Sequence, residues 1–135
     1  MKKLKGLIIM LLISLSLFGM TACDGGNNVI YEQITAEQAK TIMDTENDYV
    51  IIDARTEEEF AEGHIKNAIL IPEYQIANRA EKELPDKEQL ILVYCRSGRR
   101  SKIASEELVK LGYTNVKEFG GIIDWPYEIV NNSSY

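Results

Sequence analysis

Apolar positions along the chain fall into short runs set between polar segments of helical pattern. YVIID (Tyr49 to Asp53) is a run of β-branched and aromatic residues that predicts a strand. AILIP (Ala68 to Pro72) predicts a second short buried strand, and Asn115 to Phe119 a last one. Leu90 to Tyr94 is a continuous apolar run of the kind that parallel sheets cover on both faces. Between these runs, Thr35 followed by Gln38 and Thr56 followed by Glu59 are capping-box spacings. They predict a helix from Ala36 to about Asp44 and a shorter one ending near Gly63. Tyr74 to Leu84 reads as a helix stopped by Pro85. Ser101 is the expected N-cap of a helix that places Ile103, Ala104, Leu108 and Leu111 on one face, with Gly112 at C′. Gly120-Gly121 leads into a short terminal turn around Trp125-Pro126. Strands alternating with helices predict a single α/β domain whose central sheet is mainly parallel and flanked by helices, with ligands at the carboxyl ends of the strands.

The first residues break this pattern. Met1 to Lys5 is basic, Leu7 to Phe18 is apolar apart from Ser14 and Ser16, and small residues follow. That is the build of a secretory leader, and the apolar stretch is short for a spanning helix, which needs about 20 residues. Met20-Thr21-Ala22-Cys23 resembles the bacterial lipobox, with Met20 where leucine is usual. The resemblance implies lipid on Cys23, which becomes the new N-terminus, with enough acyl chains for stable membrane anchoring. The Gly- and Asn-rich stretch from Asp24 to Asn28 then reads as a flexible tether. The expected organisation is a leader over 1–22, a lipidated N-terminus and tether over 23–32, a folded domain over 33–130 and a frayed tail over 131–135. The expected location is the cell membrane, lipid-anchored on the side away from the cytoplasm.

The 135 residues carry a formal net charge of −6, and losing Lys2, Lys3 and Lys5 with the leader takes it to −9. No nucleic-acid partner is expected, because affinity for it rests mainly on neutralising phosphates. Against this acidic background, Arg96, Arg99 and Arg100 form a local basic cluster. The chain has one histidine, His64, and two cysteines, so a zinc site would have to recruit carboxylates at no recognisable spacing, and Cys23 and Cys95 are too far apart in sequence for a Cys-x-x-Cys redox pair. No metal or cofactor is expected.

Cys95 ends the most apolar run and opens a Gly- and Arg-containing turn before a helix. A thiol so placed meets unpaired backbone N–H groups and the positive end of a helix dipole, the conditions that favour a thiolate. A buried free cysteine can also be a plain small hydrophobe. Polar and charged residues follow this one, however, and an unpaired thiol outside the cytoplasm is a liability unless its reactivity is used. Asp53 and Arg55 at a strand end, with Trp125, are candidate pocket residues, Asp53 and Arg55 more simply as a structural ion pair. His64 reads as a structural histidine, and Glu57 to Glu59 as a solvated first helical turn.

Three segments together resemble a rhodanese domain, the sulfurtransferase module: Val50 to Pro72, Val93 to Ser101 and Leu111 to Trp125. The resemblance runs from about Gln33 to Tyr127 in the family's order. Lys66-Asn67 stands where Pro-Gly is usual and Ala54 where valine is common. It implies that Cys95 attacks the outer sulfur of a small anionic donor such as thiosulfate, becomes a persulfide and passes that sulfur to a thiol, cyanide or protein acceptor. Arg96, Ser97, Gly98, Arg99, Arg100 and Ser101 would bind the donor through backbone N–H groups and arginine side chains. Related folds include phosphatases and arsenate reductases. A phosphatase of that type needs arginine six positions after the cysteine, where this chain has Ser101. A tethered persulfide carrier or binding module without turnover of its own is the other alternative.

Overall fold

In a computed structural model of the chain, which describes residues 30–131, the run beginning at Leu90 becomes the middle strand of a five-stranded parallel sheet. The strands are β1 (Glu32–Gln33), β2 (Tyr49–Asp53), β3 (Ile69–Leu70), β4 (Leu90–Cys95) and β5 (Val116–Gly121). The helices are α1 (Ala36–Thr45), α2 (Glu57–Glu62), α3 (Ile76–Glu83) and α4 (Arg99–Lys110), with 3-10 turns at Glu73–Gln75 and Ile122–Asp124. Strand order is β1-β5-β4-β2-β3. The chain leaves β4 toward β5 and leaves β2 toward β3, so two diverging connections open a crevice at the carboxyl ends of β2 and β4. The leader, Cys23, the tether and residues 132–135 lie outside the described residues. No helix among the described residues is long and apolar enough to cross a membrane.

Both capping boxes form. Thr35 Oγ1 accepts from Gln38 N at 3.1 Å, and Thr56 Oγ1 from Glu59 N at 3.3 Å, each returned by the partner side chain. The predicted strand at 49–53 is found with those bounds. Other elements differ. Only Ile69–Leu70 of the predicted 68–72 run pairs, because Ala68 closes a turn on Ile65 and Pro72 has no N–H to donate. The segment from Tyr74 begins inside a 3-10 turn and becomes α-helical only at Ile76. Strand β5 starts at Val116, not Asn115, and runs on through Gly120-Gly121. Strand β1 carried no apolar pattern and was not predicted; its two residues are exposed and lie beside Lys117 and Glu118 of β5.

The expectation that Ser101 caps α4 is wrong. The cap is Gly98, in the left-handed region at φ 104, and Ser101 is the third helical residue, fully buried. Gly98 tolerates that φ because it has no Cβ. The chain therefore enters the helix three residues earlier than the serine suggested.

The sheet buries two apolar layers. On one face Ile52, Val93, Cys95 and Val116 pack with Ile76 and Ala80 of α3 and Ala104 and Leu108 of α4. On the other, Ile51, Leu92, Tyr94 and Phe119 pack with Ala39 of α1, Ile65 and Trp125. The alternation along β2, β4 and β5 is the period-two pleat. It puts Cys95 on the α4 side.

Candidate functional site

Strand β4 delivers Cys95 at 1% exposure to the start of α4, after a three-residue turn of Arg96, Ser97 and Gly98. The Gly98 N–H donates to Cys95 Sγ at 3.0 Å. As the first residues of a 12-residue helix that starts directly after this turn, Arg99, Arg100 and Ser101 have N–H groups without intrahelical acceptors. The turn is held from behind by β5. A Cβ added at Gly121 would lie 2.0 Å from the Arg96 carbonyl oxygen and 2.6 Å from Ser97 Cα. Only glycine allows this approach, and Ile123 N then donates to the Arg96 carbonyl at 3.2 Å. The ladder between β4 and β5 shifts register between Val93 and Cys95 to reach this contact.

The arginines divide. Arg96 and Arg99 are exposed and form no ion pair among the described residues. Arg100 meets the Glu59 carboxylate with both Nη atoms, at 2.7 and 2.8 Å. The pair crosses from α4 to α2. The Arg100 hydrogen bond, chiefly, holds the Glu59 carboxyl down at about 2, and Glu59 in return raises the Arg100 guanidinium. Glu59 thus departs from the solvated turn expected of Glu57 to Glu59, whereas Glu57 and Glu58 are exposed. Its cross-helix partner, 41 residues away, left no mark in the local pattern.

Asp53 and Arg55 form a buried ion pair beside the crevice. Arg55 Nη2 lies 2.7 Å from Asp53 Oδ2, and the Tyr94 hydroxyl donates to the same oxygen at 2.6 Å. Burial alone would lower the Arg55 guanidinium, but the hydrogen bond and charge of Asp53 more than offset it and raise it. Burial, with the Asp53 charge, pushes the Tyr94 phenol up. Arg55 Nη2 also donates to the Gly63 carbonyl at 2.6 Å, so the pair ties β2, β4 and the end of α2 together. His64 has a structural placing. Its ring stacks on Phe60 at 3.7 Å with Nδ1 bonded to the Phe60 carbonyl, and its backbone bridges to Val130.

Trp125 packs in the opposite core layer from Cys95. It lines a cavity of about 530 Å³ with Met43, Tyr49, Ile51, Ile65 and Tyr127, on the α1 side of the sheet, and no residue from Cys95 to Ser101 reaches that cavity. The pocket expected to include Trp125 with Asp53 and Arg55 is therefore not one pocket. Among the described residues no cluster of metal-binding side chains occurs.

One group was missed in the sequence. Glu118 is 3% exposed, and its Oε1 accepts from the Ser101 hydroxyl at 2.6 Å and from Gly120 N at 2.8 Å. The signal was present: Val116 and Glu118 alternate on one face of a predicted strand, so an acid was directed inward.

A family model described as a rhodanese-like domain matches residues 35–126. The chain is 40% identical over 73 residues to "Thiosulfate sulfurtransferase PspE" of Escherichia coli strain K12, covering 54% of this chain and 70% of that one. It is 33% identical over 98 residues to "Thiosulfate sulfurtransferase GlpE" of Coxiella burnetii, covering 72% and 89%. Among solved structures it resembles a "rhodanese with anions from E. coli" at TM-score 0.59 and 36% identity, over 62% of this chain and 99% of that one. A rhodanese-like domain protein from Staphylococcus aureus matches at TM-score 0.64 and 31% identity, over 75% and 98%.

Proposed function

The chain belongs to the rhodanese-like domain family, and from that premise we propose that it is a thiosulfate sulfurtransferase-like enzyme working through a Cys95 persulfide. The observation that carries the reading is the Gly98 N–H aimed at Cys95 Sγ, at the N-terminus of α4. Those dipoles favour a thiolate and the anions that meet it. The thiolate attacks the outer sulfur of a donor such as thiosulfate. A Cys95 S–S bond forms, the donor's own S–S bond breaks, and sulfite departs with that electron pair. A thiol or cyanide then attacks the outer persulfide sulfur and releases the Cys95 thiolate. Arg96 and Arg99 are free to draw anions toward the mouth of the turn despite the acidic chain.

The loop favours sulfur over phosphorus. The position where a phosphatase needs arginine is Ser101, whose hydroxyl is held by Glu118, and the neighbouring Arg100 is held by Glu59. The leader and lipobox support placing the domain on a membrane through lipid on Cys23, outside the cytoplasm. The protein should release sulfite from thiosulfate when cyanide or a thiol is supplied, with ping-pong kinetics. It should leave aryl phosphates intact. Phosphate release that Cys95→Ser abolishes would reverse the assignment, and lipid found on Cys23→Ser protein would refute the lipobox reading.

A further inference from the structure

Behind Cys95 lies a buried acid for which sulfur transfer as described has no use. Glu118 belongs to β5, on the face that also carries Val116 and looks toward α4. Its side chain is placed between strand and helix rather than toward solvent. A hydrogen-bond path joins it to the thiol. Cys95 Sγ lies 3.4 Å from Ser101 Oγ, and Ser101 Oγ lies 2.6 Å from Glu118 Oε1. Ser101 has one hydroxyl hydrogen and four oxygens or sulfurs near it: Glu118 Oε1, the Gly98 carbonyl at 3.0 Å, the Gly120 carbonyl at 3.4 Å, and Cys95 Sγ. A separation of 2.6 Å is that of a hydroxyl donating to a carboxylate. With its hydrogen on Glu118, the Ser101 oxygen turns a lone pair toward the thiol. Gly120 N fixes the same carboxylate oxygen from the other side.

We propose that Glu118 acts through Ser101 as the positioning residue and proton acceptor for the Cys95 thiol. The inference rests on the reading of Cys95 as the attacking thiolate. In the step, the Cys95 S–H bond breaks and its proton goes to Ser101 Oγ. The Ser101 O–H bond breaks in turn, and that proton goes to Glu118, leaving a thiolate and a carboxylic acid. Ser101 then donates to the thiolate it helped to form. The reverse transfer restores the thiol after the sulfur has left. No other reactant enters.

The charged groups around this path come from every neighbouring element. Arg100 of α4, whose guanidinium is raised first by its hydrogen bond to Glu59 of α2 and in smaller part by the Cys95 charge, is ion-paired with that glutamate. Arg96 and Arg99 are exposed at the turn. The Asp53–Arg55 pair closes the β2 side, and on the β1 side Lys117 is paired with Glu32. Among the described residues, Glu118 is the acid that a hydrogen-bond path connects to the thiol.

The test is the pH dependence of Cys95 alkylation by iodoacetamide in the full chain, read at the Cys95 peptide by mass mapping so that Cys23 is counted separately. Glu118→Gln keeps the shape and an acceptor oxygen but cannot take a proton. Its alkylation midpoint should move to higher pH, with alkylation and sulfite release both falling about a hundredfold at neutral pH and recovering in alkali. A role through charge alone gives the opposite sign, since removing a nearby carboxylate makes a thiolate easier to form. A midpoint that falls or stays put overturns the proposal. Should Glu118→Gln fail to fold, Ser101→Ala cuts the same path, with the same upward shift expected and the same contrary results decisive. An upward midpoint shift in Glu118→Gln, found with a wild-type protein that releases no sulfite, would refute the sulfurtransferase reading and leave this one standing.

Discussion

Strands β2 and β4 lie side by side and each ends on a buried polar residue, Asp53 at 0% exposure and Cys95 at 1%. Their surroundings differ. Asp53 accepts from the Arg55 backbone and guanidinium and from the Tyr94 hydroxyl, so both its oxygens are occupied by donors that also tie three elements together. Cys95 has one amide donor, one hydroxyl and a helix N-terminus whose other N–H groups lack intrahelical acceptors. The first arrangement is saturated and holds shape, whereas the second leaves donors for a charge that has yet to arrive. Burial alone does not separate a structural group from a reactive one; the balance of donors and acceptors around it does.

Exchanging each residue for a near-isostere breaks the comparison most sharply. Cys95→Ser should abolish sulfite release, because a hydroxyl is a poor nucleophile and carries no transferable sulfur, while circular dichroism and the melting temperature stay close to wild type. Asp53→Asn should do the reverse. Removing one partner of a buried pair leaves Arg55 uncompensated, and denaturant titration should show a loss of about 3–5 kcal/mol, with turnover per folded molecule largely kept. Equal stability losses in the two variants would dissolve the distinction.

The arginines sharpen it on a smaller scale. Arg99 is exposed and has no ion-pair partner among the described residues, so Arg99→Ala should lower turnover about tenfold at low salt, and the deficit should shrink as salt screens the charge. If Arg99→Ala matches wild type at low salt, the backbone N–H groups alone must be credited with holding the donor. The smallest effect concerns the Arg100–Glu59 pair. Glu59 is held at about 2, below its ordinary 4.5, so the pair's contribution to stability is complete above roughly pH 5 and is lost as pH falls toward 2. In Glu59→Gln that part of the acid unfolding profile should flatten.

The chain's pattern disclosed the fold to the extent that elements were locally encoded. Strand 49–53, both capping boxes and the run ending at Cys95 depend on neighbours in sequence, and they lie where the pattern put them. Ser101 misled because its hydroxyl, typical of a helix cap, is instead directed to Glu118, 17 residues on. The Glu59–Arg100 contact and the approach of Gly121 to the cysteine turn were equally hidden, since both join segments that meet only in the folded sheet. Trp125 followed the same rule: its aromatic character was plain, but the face of the sheet it covers depends on how the chain turns after β5.

The central claim is that Cys95 itself carries the sulfur. The most direct measurement is a mass spectrum of the protein after incubation with thiosulfate and removal of the excess. The account predicts a gain of one sulfur atom, mapped to the peptide containing Cys95 and discharged by cyanide. Sulfite release with no sulfur retained on Cys95, or sulfur retained by Cys95→Ser protein, would contradict it.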